Sequence, residues 1–176
     1  MSAVLRSSDA AAVRGLAMQP ADLDRVLAIE AAVYAFPWTR GNFVDALAAG
    51  YDAHLLCADD GSLCAYSIAI TGVHELHLLN LSVAPAWQRH GLARRLLDRL
   101  VERGRAGAAA SLWLEVRESN LRARAVYARY GYAQVGHRPG YYPGAAGGRE
   151  DACVMRLDIE AAAAGPGAND DDAALD

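Results

Sequence analysis

The chain has 176 residues, 53% of them apolar, with 17 Lys plus Arg against 21 Asp plus Glu and a formal net charge of −4. This length suits a single domain with a hydrophobic core, and the apolar fraction excludes a mainly disordered chain. No apolar run approaches the roughly 20 residues that cross a bilayer, and residues 1–14 lack a basic patch followed by an apolar block, so the expectation is a cytoplasmic protein with no membrane partner.

Residues 13–19 read as a first strand. Pro20 then opens a helix in which Leu23, Val26, Leu27 and Val33 keep a helical period, with Asp22 and Asp24 in its first turn. Pro37 breaks that helix. Thr39 is placed to cap a second one that turns Phe43, Val44 and Leu47 inward and stops at Gly50. Strands over 54–58 and 63–70 follow, joined by Asp60-Gly61 as a two-residue hairpin turn, which would set Cys57 opposite Cys64. Those two thiols and Cys153 make an odd count without metal-ligand spacing, and all three are expected to be free and at least half buried. In the next strand, "ELHLLNLSV", Leu76 and Leu78 share one parity while Leu79, Leu81 and Val83 share the other. Either a β-bulge shifts the phase between Leu78 and Leu79, or the strand is covered on both faces and parity is free.

A long helix over 91–105 buries Leu92, Leu96, Leu97, Leu100 and Val101 and turns Arg95, Arg99 and Arg103 outward. "SLWLEVRE" is a strand, 121–130 a helix capped from Ser119 or Asn120, and 132–136 a further strand. Residues 137–149, rich in Gly, Pro and Tyr, read as a loop before a last strand at 152–157. Residues 1–158 thus make one mixed α/β domain with a central sheet and helices on both sides, and 159–176 an acidic, Ala- and Gly-rich disordered tail. The acidity is concentrated at that end. All 17 basic residues are Arg; residues 158–176 hold six acids and none of the Arg, and without this segment 17 Arg face 15 acids. The folded part therefore carries +2 and suits an anionic partner.

Gln88, Arg89, His90, Gly91, Leu92 and Ala93 lie between a strand end and a helix start. The unpaired N–H groups of a first helical turn can hold phosphate; Gly91 lets the backbone approach, Ala93 leaves the next N–H uncovered, and Arg89, Arg94 and Arg95 add charge. The segment is neither a dinucleotide fingerprint nor a triphosphate loop, and an ordinary glycine turn before a helix is the plain alternative. Residues 89–129 hold ten Arg against four acids, but the aromatics do not interleave as a stacking platform, so no direct nucleic-acid binding is expected.

On the strand after the long helix, Trp113, Glu115 and Arg117 share a face opposite Leu112, Leu114 and Val116. A carboxylate in mid-strand serves either as the ion-pair partner of a nearby Arg or as a general base. As a base of pKa about 4.3 facing an ammonium near about 8, it needs help from burial or a relaying water. Tyr127 is either a residue at the core edge or a proton donor to a leaving thiolate. Tyr141 and Tyr142, in the glycine-rich segment, suit a binding rim. His74, His77 and His137 are too scattered for a metal site, and no metal is expected.

Together these segments resemble the GCN5-related N-acetyltransferase (GNAT) superfamily through Gln88-x-x-Gly91-x-Ala93, set between a strand and a helix. More closely the chain resembles the bacterial RimI-type enzymes, which acetylate the N-terminal alanine of ribosomal protein bS18. The matching segments are "PWT" at 37–39, "LSVAPAWQRHGLARRLL" at 81–97, "LWLEVRESN" at 112–120, "VYARYGY" at 126–132, and "YY" followed by "EDACVM" at 150–155. The resemblance implies the GNAT fold with a bulge in the fourth strand, acetyl-CoA as cosubstrate, and direct transfer in a ternary complex. It implies that backbone groups of Leu81, Ser82 and Val83 meet the pantetheine arm, that residues from Gln88 to Ala93 hold the pyrophosphate, and that Asn120 lies near the thiol end. Glu115 is then the general base, Tyr127 the general acid, and Pro37, Trp38, Tyr141 and Tyr142 line the peptide entry. The implied acceptor is the bS18 N-terminus or a similar peptide N-terminus; a broader N-terminal or small-amine acetyltransferase is the alternative.

Overall fold

The computed structural model describes residues 12–159; the opening residues and most of the expected acidic tail lie outside it. Seven strands form one mixed sheet, β1 (Val13–Ala17), β2 (Asp52–Ala58), β3 (Leu63–Thr71), β4 (Glu75–Val83), β5 (Ser111–Arg117), β6 (Ala133–Pro143) and β7 (Arg149–Asp158), in the order β1-β2-β3-β4-β5-β7-β6. Every pairing is antiparallel except β4 with β5. Helices α1 (Leu23–Val33) and α2 (Arg40–Ala48) cover one face; α3 (Leu92–Ala106) and α4 (Leu121–Tyr130) cover the other.

Local chemistry accounts for the helix ends. Pro20 starts a short 3-10 turn that leads into α1, and the Thr39 hydroxyl accepts from the Asn42 N–H at 3.3 Å to cap α2. The buried stripe of α3 is the expected one, with Leu96, Leu97 and Leu100 wholly inaccessible. Gly131, at φ 119°, ends α4.

The phase slip in β4 is a real bulge. Ile68 of β3 faces Asn80 and Ala69 faces Leu78, so Leu79 is the extra residue. Before the bulge Leu76 and Leu78 point into the core under α3; after it Leu81 and Val83 do so. Asn80 and Ser82 are thereby turned towards α1, where they meet Glu30 and Tyr34.

Two expectations are corrected. The turn at Asp60-Gly61 belongs to a longer loop, in which the Gly61 N–H donates to Ala58 O and Gly61 takes φ 86°. This shifts the register, so Cys57 faces Leu63 rather than Cys64, although all three cysteines are buried and free. The segment 137–149 is mostly strand: β6 runs to Pro143 and pairs with β7, broken only by an irregularity between Arg138 and Tyr142. Gly140, at φ 57°, donates its N–H to the Asp151 carboxylate at 2.7 Å, and Arg149 donates to the carbonyls of Gly140 and Tyr141. These bonds replace the interrupted ladder, which is how a stretch with turn-like composition stays in a sheet.

Candidate active site

The parallel ladder between β4 and β5 runs only from Glu75↔Ser111 to Leu78↔Leu114. Beyond it the bulged half of β4 keeps its pairing with β3 and leaves β5. Side chains attach to the carbonyls of that half: Tyr34 Oη donates to Leu81 O at 3.0 Å, and Gln88 Nε2 reaches Val83 O at 3.4 Å. Ser82 is buried, and its hydroxyl donates to Tyr34 Oη at 2.8 Å. Burial, reinforced by the Glu30 charge, pushes the Tyr34 phenol up to about 12 despite that hydrogen bond from Ser82.

At the end of β4 the chain makes a short 3-10 turn and enters α3 through two left-handed residues, Arg89 at φ 63° and Gly91 at φ 70°. Gly91 occupies the N-cap and offers no side-chain bond to the first turn, unlike Thr39 on α2 and Asn120 on α4. The helix start thus offers backbone N–H groups, and the His90 ring is folded back on this turn, its Nδ1 2.7 Å from Gln88 O. Burial, and after it the charge of Arg89, lowers the affinity of the Arg122 guanidinium at the start of α4 for its proton. Leu92 and Ala93 have their side chains in the core below α3. Arg99 and Arg103 are engaged elsewhere, at 2.6 Å and 3.3 Å from the Asp52 carboxylate.

Glu115 sits on the α1 side of β5 with its side chain 6% exposed. Its Oε2 is 2.5 Å from His77 Nε2, and its Oε1 lies 3.2 Å from an Arg138 nitrogen without hydrogen-bond geometry. Burial raises the carboxyl, but the His77 hydrogen bond and the charges of His77 and Arg138 outweigh it and leave Glu115 below the usual carboxylate range. The nearby arginine of the ion-pair reading is Arg138 of β6. Arg117 instead pairs with Glu150 at 2.9 Å.

Tyr127, half-buried on α4, packs its ring 5.6 Å from Tyr132, and burial with help from Tyr34 and Tyr142 drives its phenol well above the tyrosine range. Tyr142 Oη donates to Glu115 O at 2.9 Å, its ring 4.9 Å from Tyr141 and 4.5 Å from the Arg117 guanidinium. Tyr141 stays at the surface, 40% exposed. Asn120 caps α4 by accepting from the Ala123 N–H at 3.0 Å. Trp38 is half-buried against the core: its ring lies 5.2 Å from Phe43, while its backbone N–H donates to Glu30 Oε2 at 2.7 Å. Pro37 is exposed beside it, and the exposed aromatic of this loop is Phe36, whose ring lies 5.1 Å from the Arg117 guanidinium.

The structure brings Glu115, Tyr127, Tyr142 and Tyr34 together at the point where β4 and β5 separate, with the Gly91 turn at the far end of the bulged half-strand. A cleft of about 570 Å³ lined by Met18, Pro20, Leu47, Tyr51, Asp52 and Arg99 lies at the β1 end of the sheet and includes none of the expected site residues. Among the described residues there is no group of three or more His, Cys, Asp or Glu able to hold a metal ion, and no helix long and apolar enough to cross a membrane.

This bulged, diverging strand pair followed by an open helix start defines a class, and residues 23–132 match it: the chain belongs to the acetyltransferase (GNAT) family. Within that family it is 37% identical over 136 residues to a [ribosomal protein bS18]-alanine N-acetyltransferase of Haemophilus ducreyi, covering 77% of this chain and 93% of that one. The protein of the same description from Escherichia coli K12 is 36% identical over 142 residues, covering 81% and 95%. Among solved structures, the ribosomal-protein-S18-alanine N-acetyltransferase from Escherichia coli superposes with a TM-score of 0.76 at 35% identity, covering 84% of this chain and 94% of that chain. Chaetomium thermophilum Naa20, solved with a bisubstrate analogue, shares the fold at a TM-score of 0.72 and 21% identity over 91% and 93% of the two chains.

Proposed function

We propose that this chain transfers the acetyl group of acetyl-CoA to the N-terminal alanine of ribosomal protein bS18. The observation that carries the reading is the buried Glu115 carboxylate at the β4/β5 separation, in a chain that spans 93% and 95% of relatives bearing that description. The gap-side backbone of Leu81 and Val83 suits the amides of the pantetheine arm, as an added strand would. Ser82 serves this edge indirectly, through Tyr34. The first turn of α3, from Gln88 to Ala93, with Arg89 within it, suits the pyrophosphate. Asn120 holds the start of α4 where the thiol end would arrive.

Glu115 Oε1 takes a proton from the α-ammonium, directly or through a water, and the amine attacks the thioester carbonyl. A new C–N bond forms, the C–S bond breaks, and the Tyr127 phenol, held protonated by burial, donates to the departing sulfur; the extra proton on the new amide nitrogen then returns to the phenolate. Backbone N–H groups at the bulge are suited to polarising the carbonyl oxygen. The acceptor peptide enters between Phe36 and Pro37 on one side and Tyr141 on the other, with Arg117 stacked between Phe36 and Tyr142. This rim is formed by two separate segments, which favours a peptide over a small enclosed amine.

The test is acetyl transfer to short peptides that differ only in their first residues. Turnover is expected with a free α-amine, best with alanine first, and none when that amine is blocked. Equal acetylation of internal lysines would overturn the assignment. Glu115→Gln is expected to lower kcat about 100-fold or more while acetyl-CoA affinity stays within about twofold.

A further inference from the structure

Residue His77 is absent from every role assigned above, yet it makes the closest side-chain contact to Glu115. It lies on β4 directly across the parallel ladder from Trp113, so its side chain falls beside that of Glu115, two residues on. The imidazole is 27% exposed and the carboxylate 6%, with Nε2 and Oε2 2.5 Å apart. One carboxylate oxygen is thus committed to the imidazole, while the other is buried and forms no hydrogen bond.

The charged and titratable groups around the pair come from several strands. Arg138 of β6 lies 3.2 Å from Oε1, and Tyr142 of β6 donates to the Glu115 carbonyl. Arg156 of β7 lies over the Trp113 ring at 5.4 Å and pairs with Asp158. Glu75 stands two residues before His77 on β4, and Ile70 of β3 faces His77 in the register.

We propose that His77 is a positioning residue for the Glu115 base: its Nε2–H donates to Oε2 and holds the carboxylate so that Oε1 is left for the acceptor amine. This inference rests on the reading of Glu115 as base.

Two substitutions separate the parts. His77→Gln keeps an N–H donor towards Oε2; His77→Leu removes it. With a peptide beginning in alanine, H77Q is expected to keep kcat within about threefold of the wild type. H77L is expected to lose about tenfold or more in kcat, with the KM for acetyl-CoA within about twofold. An H77L enzyme with wild-type kcat, or an H77Q enzyme as slow as H77L, overturns the proposal. A second measurement does not depend on the acceptor: the ring-nitrogen signals of His77 followed by NMR in the wild type and in Glu115→Gln. Loss of the carboxylate is expected to move the Nε2 signal, and an unchanged signal overturns the pairing. If the peptides are not acetylated while the NMR change is seen, the acceptor assignment fails and the pair stands.

Discussion

Glu30 offers the sharpest test of how the site is held. It is 1% exposed in the middle of the core cluster under α1, and three donors converge on it. Tyr66 Oη and Asn80 Nδ2 donate to Oε1, the second at 2.6 Å, and the Trp38 N–H donates to Oε2 at 2.7 Å. One carboxylate thus ties the β4 bulge, through Asn80, to the loop before α2, through Trp38. Glutamine has the same size but only one acceptor oxygen. If that oxygen stays with Tyr66 and Asn80, the amide NH₂ meets the Trp38 N–H, donor against donor. One hydrogen bond to a charged group is lost, worth about 1.5–3 kcal/mol, and two more lose their ionic partner. Relief of charge burial returns part of this, leaving Glu30→Gln about 2 kcal/mol less stable. For a domain of this size that is about 4–8 °C in Tm, to be read by calorimetry and urea unfolding at neutral pH. The KM for the acceptor peptide is expected to rise, since the loop bearing Phe36 and Pro37 loses its anchor. A Glu30→Gln protein within about 0.5 kcal/mol of wild type would refute the reasoning.

Other substitutions probe separate parts. Tyr127→Phe keeps the ring against Tyr132 and removes the donor, so steady-state kinetics should show kcat about 100-fold lower with an unchanged Tm; a full-activity variant would leave Tyr127 only a packing role. Asn120→Ala removes the cap on α4 and should cost about 1 kcal/mol in urea unfolding. Burial, aided by Arg99, lowers the His54 imidazole to about 4, so the folded form holds it neutral while the unfolded chain takes up a proton near about 6.5. Stability is therefore complete above that unfolded value and is lost as pH falls towards 4. Thermal melts of His54→Gln should show a shallower fall over this window than those of the wild type.

What could be read from residues alone depended on how local the cause was. The α3 stripe, the Thr39 cap and the left-handed Gly91 turn depend on neighbours within a few residues and were legible. The bulge was legible for the same reason, since a change of apolar parity inside one strand is itself local. The course of β6 was not: proline and glycine at 139–140 suggest a loop, and it is the pairing with β7, bridged at the irregularity by the Asp151 and Arg149 bonds, that keeps the segment in the sheet. The hairpin register at Cys57 failed because Gly61 closes a longer loop than the two-residue turn its sequence suggests. Glu115 could be picked out as an unusual carboxylate, but its partners could not. His77 and Arg138 reach it from β4 and β6, and their approach is set by strand order and register rather than by spacing along the chain. Trp38, which the resemblance puts at the peptide entry, is half-buried with its ring against Phe43, a packing set by α2 and not visible in its neighbours along the chain.

The irregular stretch of β6 has an effect beyond placing Tyr142. β6 is the outermost strand of the sheet, and at eleven residues it is a long edge of the kind that recruits strands from other molecules. Pro139 and Pro143 contribute no N–H, and the kink at Gly140 bends the strand out of a straight edge. The opposite border, β1, is only five residues long. A flatter β6, for example one with Gly140 and Pro139 replaced by β-branched residues, would straighten this border and create a sticky edge prone to self-association. A guarded sheet edge and the aim of Tyr142 at the Glu115 carbonyl thus rest on the same few residues.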